Sequence, residues 1–379
     1  MEEPTVISLF TGGMGLDLGF EQAGFEICVA VDKDKYAAAT VRANRPEIPV
    51  IQDDLSKVPV SQILESACLL PGEATVVTGA SPCEPFSTIG KRLSIDDNRA
   101  CLIDDFLRVV NEAKPQYWIF ENVPGLKWAA RKHVSFYERT AKPKGEIHDD
   151  ERPGSAFDDI LAKFEATGYH ITGPVIVDAA DYGTPQHRKR LIMIGTREGT
   201  LVEVPPPSHG NPESLEFIRG QKQPWVTVGE ALSKFDDPYP EFAKFPAWGG
   251  YLKYVPTGGC WRDIPDYLKE EAIGKAFYSS GGRTGFLRKL SWHRPAPTLV
   301  DSPITRAACL CHPTENRPLS VGEYLRLQGF PLDWKVEGPL GSKYRLIGQA
   351  TPVPLARALA FAVNAASETE YALKEEVTL

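Results

Sequence analysis

Through its first half, the chain alternates short apolar runs with segments whose apolar residues recur at helical spacing. "TVISLF" (5–10), "EICVAVD" (26–32), "TVVTGA" (75–80) and "YWIFENV" (117–123) are near-continuous apolar runs, and "PVIQDD" (49–54) ends a shorter one. Between them, "DKYAAATVRAN" (34–44) and "ACLIDDFLRVVNEA" (100–113) gather apolar residues on one helical face. Strands apolar on both faces, separated by helices, predict an α/β fold: a parallel sheet covered on both sides. After a charged, irregular insertion over 127–154, "AFDDILAKFEATG" (156–168) predicts another helix. "YHITGPVIVDAADYG" (169–183) and "RLIMIGTR" (190–197) then read as two strands joined by "TPQHRK".

The texture changes at Pro205. "PPPSHGNPE" breaks regular structure, and the stretch beyond it is rich in Gly, Pro, Trp and Tyr without long helical periodicity. Helical spacing returns at "SVGEYLRLQGF" (320–330) and "PVPLARALAFAVNAA" (352–366). The expected division is a first domain over 1–203, a smaller irregular domain over 204–317, and a segment 318–379 that returns to the first. Hydrophobic residues at 42% and charged residues at 24% are the balance of a soluble globular protein. The opening "MEEPTVISLF" is acidic and runs into a strand, so no leader is expected; no apolar run approaches a membrane span, and a cytoplasmic location follows. Seven scattered cysteines suit a reducing compartment. Cys309 and Cys311 lack companions at metal-site spacing and read as core fillers, with no metal expected.

A net charge of −8 argues mildly against a polyanionic partner. Charge averages over faces, however. Lys127, Arg131, Lys132, Arg139, Lys142 and Lys144 crowd one stretch, while acids concentrate in "EIHDDE" and "KEEV". Such a molecule can hold DNA on one side, although a solvated helix and loop explains the cluster too.

The candidate chemistry lies at strand ends. "FTGGMG" between the first strand and first helix lets backbone approach a ligand closely, although a tight turn without ligand explains it equally well. Asp32, ending the second strand, suits a ribose hydroxyl pair, and Asp53 or Asp54 ends the third, placed for an adenine amine. Glycine, acid and acid at three successive strand ends favour a nucleoside ligand. Cys83, in "GASPCEPFS", leaves the fourth strand, and Glu121 ends the fifth. A thiolate attacks electrophilic carbon, and a nearby acid protonates the electron sink. Arg188 and Arg190 of "QHRKR", at alternate positions of one strand face, suit carbonyl or phosphate oxygens, as does a solvated turn.

In this order the residues resemble the cytosine-5 DNA methyltransferases over almost the whole chain. "SLFTGGMGLDLGFEQAGF" is similar to the family's first, cofactor-binding motif, "SPCEPFS" to its Pro-Cys nucleophile loop, and "ENVPGL" to its Glu-Asn-Val motif. "YGTPQHRKRLIMIG" resembles the Gln-x-Arg-x-Arg segment, and "RPLSVGEYLRLQGFPLDW" and "YRLIGQATPVPLARALAFAV" resemble the two C-terminal motifs. "RPAPTLV" resembles the end of the variable recognition domain. The resemblance implies a Rossmann-like methyltransferase sheet, S-adenosyl-L-methionine (AdoMet) as cofactor and double-stranded DNA as partner. It implies a monomer of the restriction-modification type, associated with the nucleoid, with a cognate restriction endonuclease as functional companion. It assigns Phe10, Gly12, Gly13, Met14, Gly15, Asp32, Lys33, Asp54, Pro82 and Gln349 to the cofactor. Cys83 would add to C6 of a flipped cytosine, Glu121 would bond or protonate N3, and Arg188 with Arg190 would hold the base. Ser87 and Thr298 are assigned to DNA, and Arg262 and Arg283 with them, the latter two in the aromatic and basic stretch 242–294 that also holds Trp248, Tyr251, Lys253, Tyr254, Trp261 and Arg288, although Trp and Tyr at such spacing often just fill a core.

Three departures stand out. Glu84 replaces the usual glutamine after the nucleophile, Lys33 follows Asp32 where an apolar residue is common, and Gln349 replaces the asparagine of a Gly-Asn pair. The competing readings are tRNA methylation, a relative using a modified AdoMet, an inactive DNA-binding relative, and a nicotinamide-dependent dehydrogenase. The last leaves "SPCEPFS", "ENV" and "QHRKR" unexplained.

Overall fold

The computed structural model describes residues 3–80, 101–132, 134, 148–233, 235–238, 240–278 and 284–377. It divides into two compact units, the first comprising 1–177, 189–206 and 356–379, the second 178–188 and 207–355. The partition differs from the sequence boundaries in giving 178–188 and 318–355 to the second unit.

The first unit is built on a seven-stranded sheet in the order β3-β2-β1-β4-β5-β7-β6. Its strands are β1 (Thr5–Leu9), β2 (Glu26–Val31), β3 (Val50–Ile51), β4 (Val76–Ala80), β5 (Tyr117–Asn122), β6 (His170–Asp178) and β7 (Lys189–Thr196). β1 pairs in parallel with both β2 and β4, and β4 in parallel with β5, whereas β7 runs antiparallel to β5. The chain therefore winds outward both ways from β1, and the carboxyl ends of β1, β2, β4 and β5 share one edge, where open α/β sheets bind ligands.

Around it lie α1 (Gly15–Glu21), α2 (Lys35–Asn44), α3 (Val60–Ser66), α4 (Cys101–Ala113) and α5 (Ser155–Glu165). Asp34, which the sequence placed inside the second helix, instead caps α2, accepting from the amides of Tyr36 and Ala37. β5 is buried along its whole length, as its apolar run predicts. Phe106, Trp118, Phe120 and Phe164 pack ring against ring behind it, with centroids 5.0–6.2 Å apart. The third strand is shorter than expected because Gln52 and Asp53 are exposed and Asp54 caps a 3-10 turn.

The second unit holds short elements: β8 (His209–Gly210), β9 (Gln223–Pro224), α6 (Leu215–Ile218), α7 (Val228–Leu232), α8 (Asp266–Ile273), α9 (Val321–Gln328) and α10 (Leu340–Gln349). Its core gathers Leu252, Val255, Trp261, Ile264, Ile273 and Leu287 with Cys309 and Cys311. Both thiols are fully buried, and desolvation pushes each up to about 12, which makes them inert fillers as read from the sequence. The final helix, α11 (Val353–Val377), begins in this unit and continues in the first, where Leu359, Ala360 and Val363 are buried. One correction concerns residues Leu340–Thr369, which by length and apolarity do match a membrane span. The chain leaves helical conformation over 350–352, and most of the apolar window is buried, the pattern of a core helix.

Candidate active site

The loop after β1 is built from unusual backbone. Phe10, Gly12 and Met14 all sit at positive φ (55°, 56° and 67°), a conformation that costs non-glycine residues energy and persists where the surroundings impose it. Gly12 donates its amide to Asp32 Oδ2 at 2.8 Å, and Asp34 donates to Asp32 Oδ1 at 2.7 Å. The acid ending β2 is thereby locked against the glycine loop of β1. A side chain at Gly12 would meet nothing nearer than the Phe10 carbonyl, at 3.8 Å. The backbone there lies open to a ligand.

Asp54 accepts from the Ser56 amide and hydroxyl at 3.2 and 2.9 Å and faces Lys33 Nζ at 3.6 Å. Slight desolvation raises its pKa, but Ser56 and Lys33 outweigh that and hold the carboxyl below its ordinary value. Lys33 thus occupies part of the acceptor that the resemblance gives to an adenine amine. An adenine-type ligand meets an acid already partnered by a cation.

Glu121, at the end of β5, is 5% exposed and forms an ion pair through Oε1 with Nε of Arg190, itself 7% exposed. The pairing follows from register: Glu121 lies opposite Ile192 on antiparallel β7, two residues from Arg190. Asn122 turns its Oδ1 back to accept from the Val123 amide at 2.9 Å. The strand ends on a fixed carboxylate beside a fixed guanidinium, buried together. Cys83, Pro82, Ser87 and Glu84, with Arg283, fall outside the described residues, as does most of the loop after β4.

Arg188 and Arg190 were expected on one strand face; the structure separates them. Arg188 precedes β7, belongs to the second unit, and is 2% exposed. Its guanidinium donates to the carbonyls of Leu299 at 2.9 Å and Gly348 at 2.6 Å. Neighbouring Gln186 donates to the Leu327 carbonyl and accepts from the Leu299 amide at 2.8 Å, while Thr298 donates to the His187 carbonyl at 2.8 Å. "PQHR" is therefore the knot that ties three distant segments of the second unit together. His187 is oriented by Asp178, whose carboxyl accepts from it at 3.1 Å, and meets Trp225 edge to face. Gln349 ends α10, is exposed, and donates to Asp301 at 3.3 Å.

Of the residues assigned to DNA, Arg262 is exposed beside the Trp261 ring. Trp261, at 6% exposed, is core, and Trp248 and Tyr251 pack against that core. Tyr254, by contrast, is exposed. Of the basic cluster, Arg139, Lys142 and Lys144 fall outside the described residues. Arg131 is paired with Asp159 at 2.6 Å and Asp149 at 2.9 Å, and Lys132 with Glu151 at 3.3 Å. Sequence reasoning missed Asp17 entirely; it lies in the first turn of α1 and is 1% exposed.

A family model described as "C-5 cytosine-specific DNA methylase" matches residues 4–365. The Type II methyltransferase M.PspPI of Psychrobacter sp. (strain TA137) is 37% identical over 95% of this chain and 78% of its own. The Type II methyltransferase M.Eco47II of Escherichia coli is 34% identical over 94% and 77%. Among solved structures, the methyltransferase EhMeth of Entamoeba histolytica superposes with a TM-score of 0.59 at 16% identity, over 96% of this chain and 99% of that one. That likeness shows the Rossmann-like methyltransferase fold. A match spanning nearly every element described above, in a chain whose sheet edge carries the glycine loop, Asp32 and Glu121, leaves one assignment: the chain belongs to the C-5 cytosine-specific DNA methylase family.

Proposed function

We propose that this DNA cytosine-5 methyltransferase works by covalent activation of a flipped base, with Cys83 as nucleophile, Glu121 and Arg190 around the ring, and AdoMet as methyl donor. The observation that carries the reading is the buried Glu121–Arg190 pair at the carboxyl edge of β5, one strand from the end of β4 that leads to Cys83. In this scheme the Cys83 thiolate bonds to C6, and the ring electrons move toward N3 and C5. Glu121 hydrogen-bonds or protonates N3, so the displaced charge is stabilised where it develops. Arg190 holds Glu121 in place and contributes a positive charge beside the base oxygen. AdoMet, when bound, supplies an electrophilic methyl group that the electron-rich C5 takes up. Loss of the C5 proton and departure of the Cys83 sulfur then restore the 5,6 double bond.

The described residues fit that donor. Asp32 is held by the amides of Gly12 and Asp34, the Gly12 backbone is open, and Phe10 packs against the core, which supports giving the ribose diol to Asp32. We assign the first unit to donor binding and catalysis, and the second, with Arg262 and Thr298, to reading duplex DNA as a Type II modification enzyme. The relatives of 34–37% identity carry Type II names and the family description specifies DNA, so the DNA reading is preferred to tRNA.

The test is trapping. DNA carrying 5-fluorocytosine, incubated with enzyme and AdoMet, should yield a denaturant-resistant complex, because fluorine does not leave as a proton does. Cys83→Ser should abolish it while calorimetric AdoMet binding persists. DNA that binds alongside AdoMet without forming the complex would overturn the adduct scheme.

A further inference from the structure

Directly after the glycine loop, in the first turn of α1, Asp17 is fully enclosed, 1% exposed, and neither carboxyl oxygen has a hydrogen-bond partner that meets normal geometry. The charged groups that bear on it are Glu21, on its own helix, and Asp32, at the end of β2; both are acidic. Glu21 is already matched by Arg45 at 2.8 Å. On β1 the neighbour is the Ser8 hydroxyl, which shares a 3.0 Å hydrogen bond with Thr11. On the last helix, which meets α1 at Gly19, Arg357 is exposed. No cation compensates this carboxyl among the described residues.

Burial without a cation favours the protonated carboxyl, because ionising it forfeits hydration that nothing nearby replaces. Burial, opposed in part by Ser8 and reinforced by Glu21 and Asp32, pushes Asp17 up to about 7. The group therefore titrates near neutrality, two residues from the end of the loop assigned to the donor. That donor carries a sulfonium cation; the thioether left after transfer does not.

We propose that Asp17 links donor binding to loss of a proton: its enclosed, cation-free setting keeps part of the free enzyme protonated, and it ionises when a sulfonium enters the adjoining loop, so the chain favours the sulfonium donor over its thioether product. This rests on the assignment of that loop to AdoMet. The chemistry balances: one carboxyl O–H bond breaks, the proton passes to solvent, and the new anion offsets the cation. Long-range coupling through a low-dielectric interior suffices, without direct contact.

The experiment is isothermal titration of the full chain with AdoMet and with S-adenosylhomocysteine, from pH 6 to 8, in two buffers of different ionisation enthalpy. The expected result is that the AdoMet association constant rises up to tenfold per pH unit below 7 and levels above it. Up to one proton should be released, whereas S-adenosylhomocysteine shows neither effect. In Asp17→Asn the two ligands should lose their difference in pH dependence. Equal proton release for both ligands in the wild type overturns the inference, and so does an unchanged difference in Asp17→Asn. The wild-type comparison decides even if the variant fails to fold. Absence of AdoMet binding at every pH would sink the donor assignment as well, a distinguishable failure.

Discussion

Arg190 and Glu121 need each other. Both are buried, and removing one partner of such a pair leaves an uncompensated charge, a loss of about 3–5 kcal/mol. Arg190→Ala is expected to lower the denaturant midpoint accordingly, and Glu121→Gln in the same chain to recover much of the loss, as a double-mutant cycle will show. Additive losses would mean that the pair is not coupled. Asp17 gives a prediction of opposite character. Its folded pKa, about 7, exceeds the ordinary carboxyl value of 3.8, so the folded state holds the proton longer than the unfolded chain. The stability it contributes is complete below pH 4 and lost as pH rises through 7, on the order of 1.4 kcal/mol per unit of difference. Asp17→Asn should therefore gain on the wild type in thermal midpoint between pH 5 and pH 8; a constant gap would refute the buried-acid account. At this scale the positions of Asp32 and Glu121 at strand ends were legible, because an acid closing an apolar run marks where a buried strand stops. Asp17 was not, since α1 is buried on all the residues from Gly15 to Phe20, and helical spacing alone does not show such enclosure.

Among elements, the approach of α1 to α11 is set by one missing side chain. A Cβ at Gly19 would lie 2.3 Å from that of Ala356 and 2.5 Å from the Arg357 amide, so Gly19→Ala must push two helices apart. The expected cost is about 1–3 kcal/mol, read by urea denaturation, with only partial rescue by Ala356→Gly because the backbone clash remains. Arg188→Ala removes donors from two buried carbonyls and is expected to destabilise the second unit, seen as faster amide exchange around Leu299 and Gly348. Unchanged protection there would show the knot to be ornamental. Strands β1, β2, β4 and β5 of the first unit were readable because buried parallel strands are continuous apolar runs. The second unit was readable only as irregular: its core joins Trp261 to Cys309 and Cys311 across long loops, and no periodicity encodes such contacts.

For the molecule as a whole, the acidic balance and the pairing of Arg131 and Lys132 with carboxylates offset the positive charge in the described part of the insertion. Arg131→Ala should leave DNA affinity within about twofold. Arg262→Ala should weaken it and reduce the slope of log K against log salt by about one if it meets a phosphate. Fluorescence anisotropy over a salt series measures both, and the reverse ranking would return the insertion to the DNA face. The chain passes from one unit to the other four times, after residues 177, 188, 206 and 355. Anyone grafting the specificity of a relative by exchanging 207–355 alone would leave the eleven-residue strip 178–188 behind, and with it Gln186 and Arg188, the anchors of Leu299, Leu327 and Gly348. A working chimera must be spliced at all four crossings, transplanting the strip together with the module it fastens.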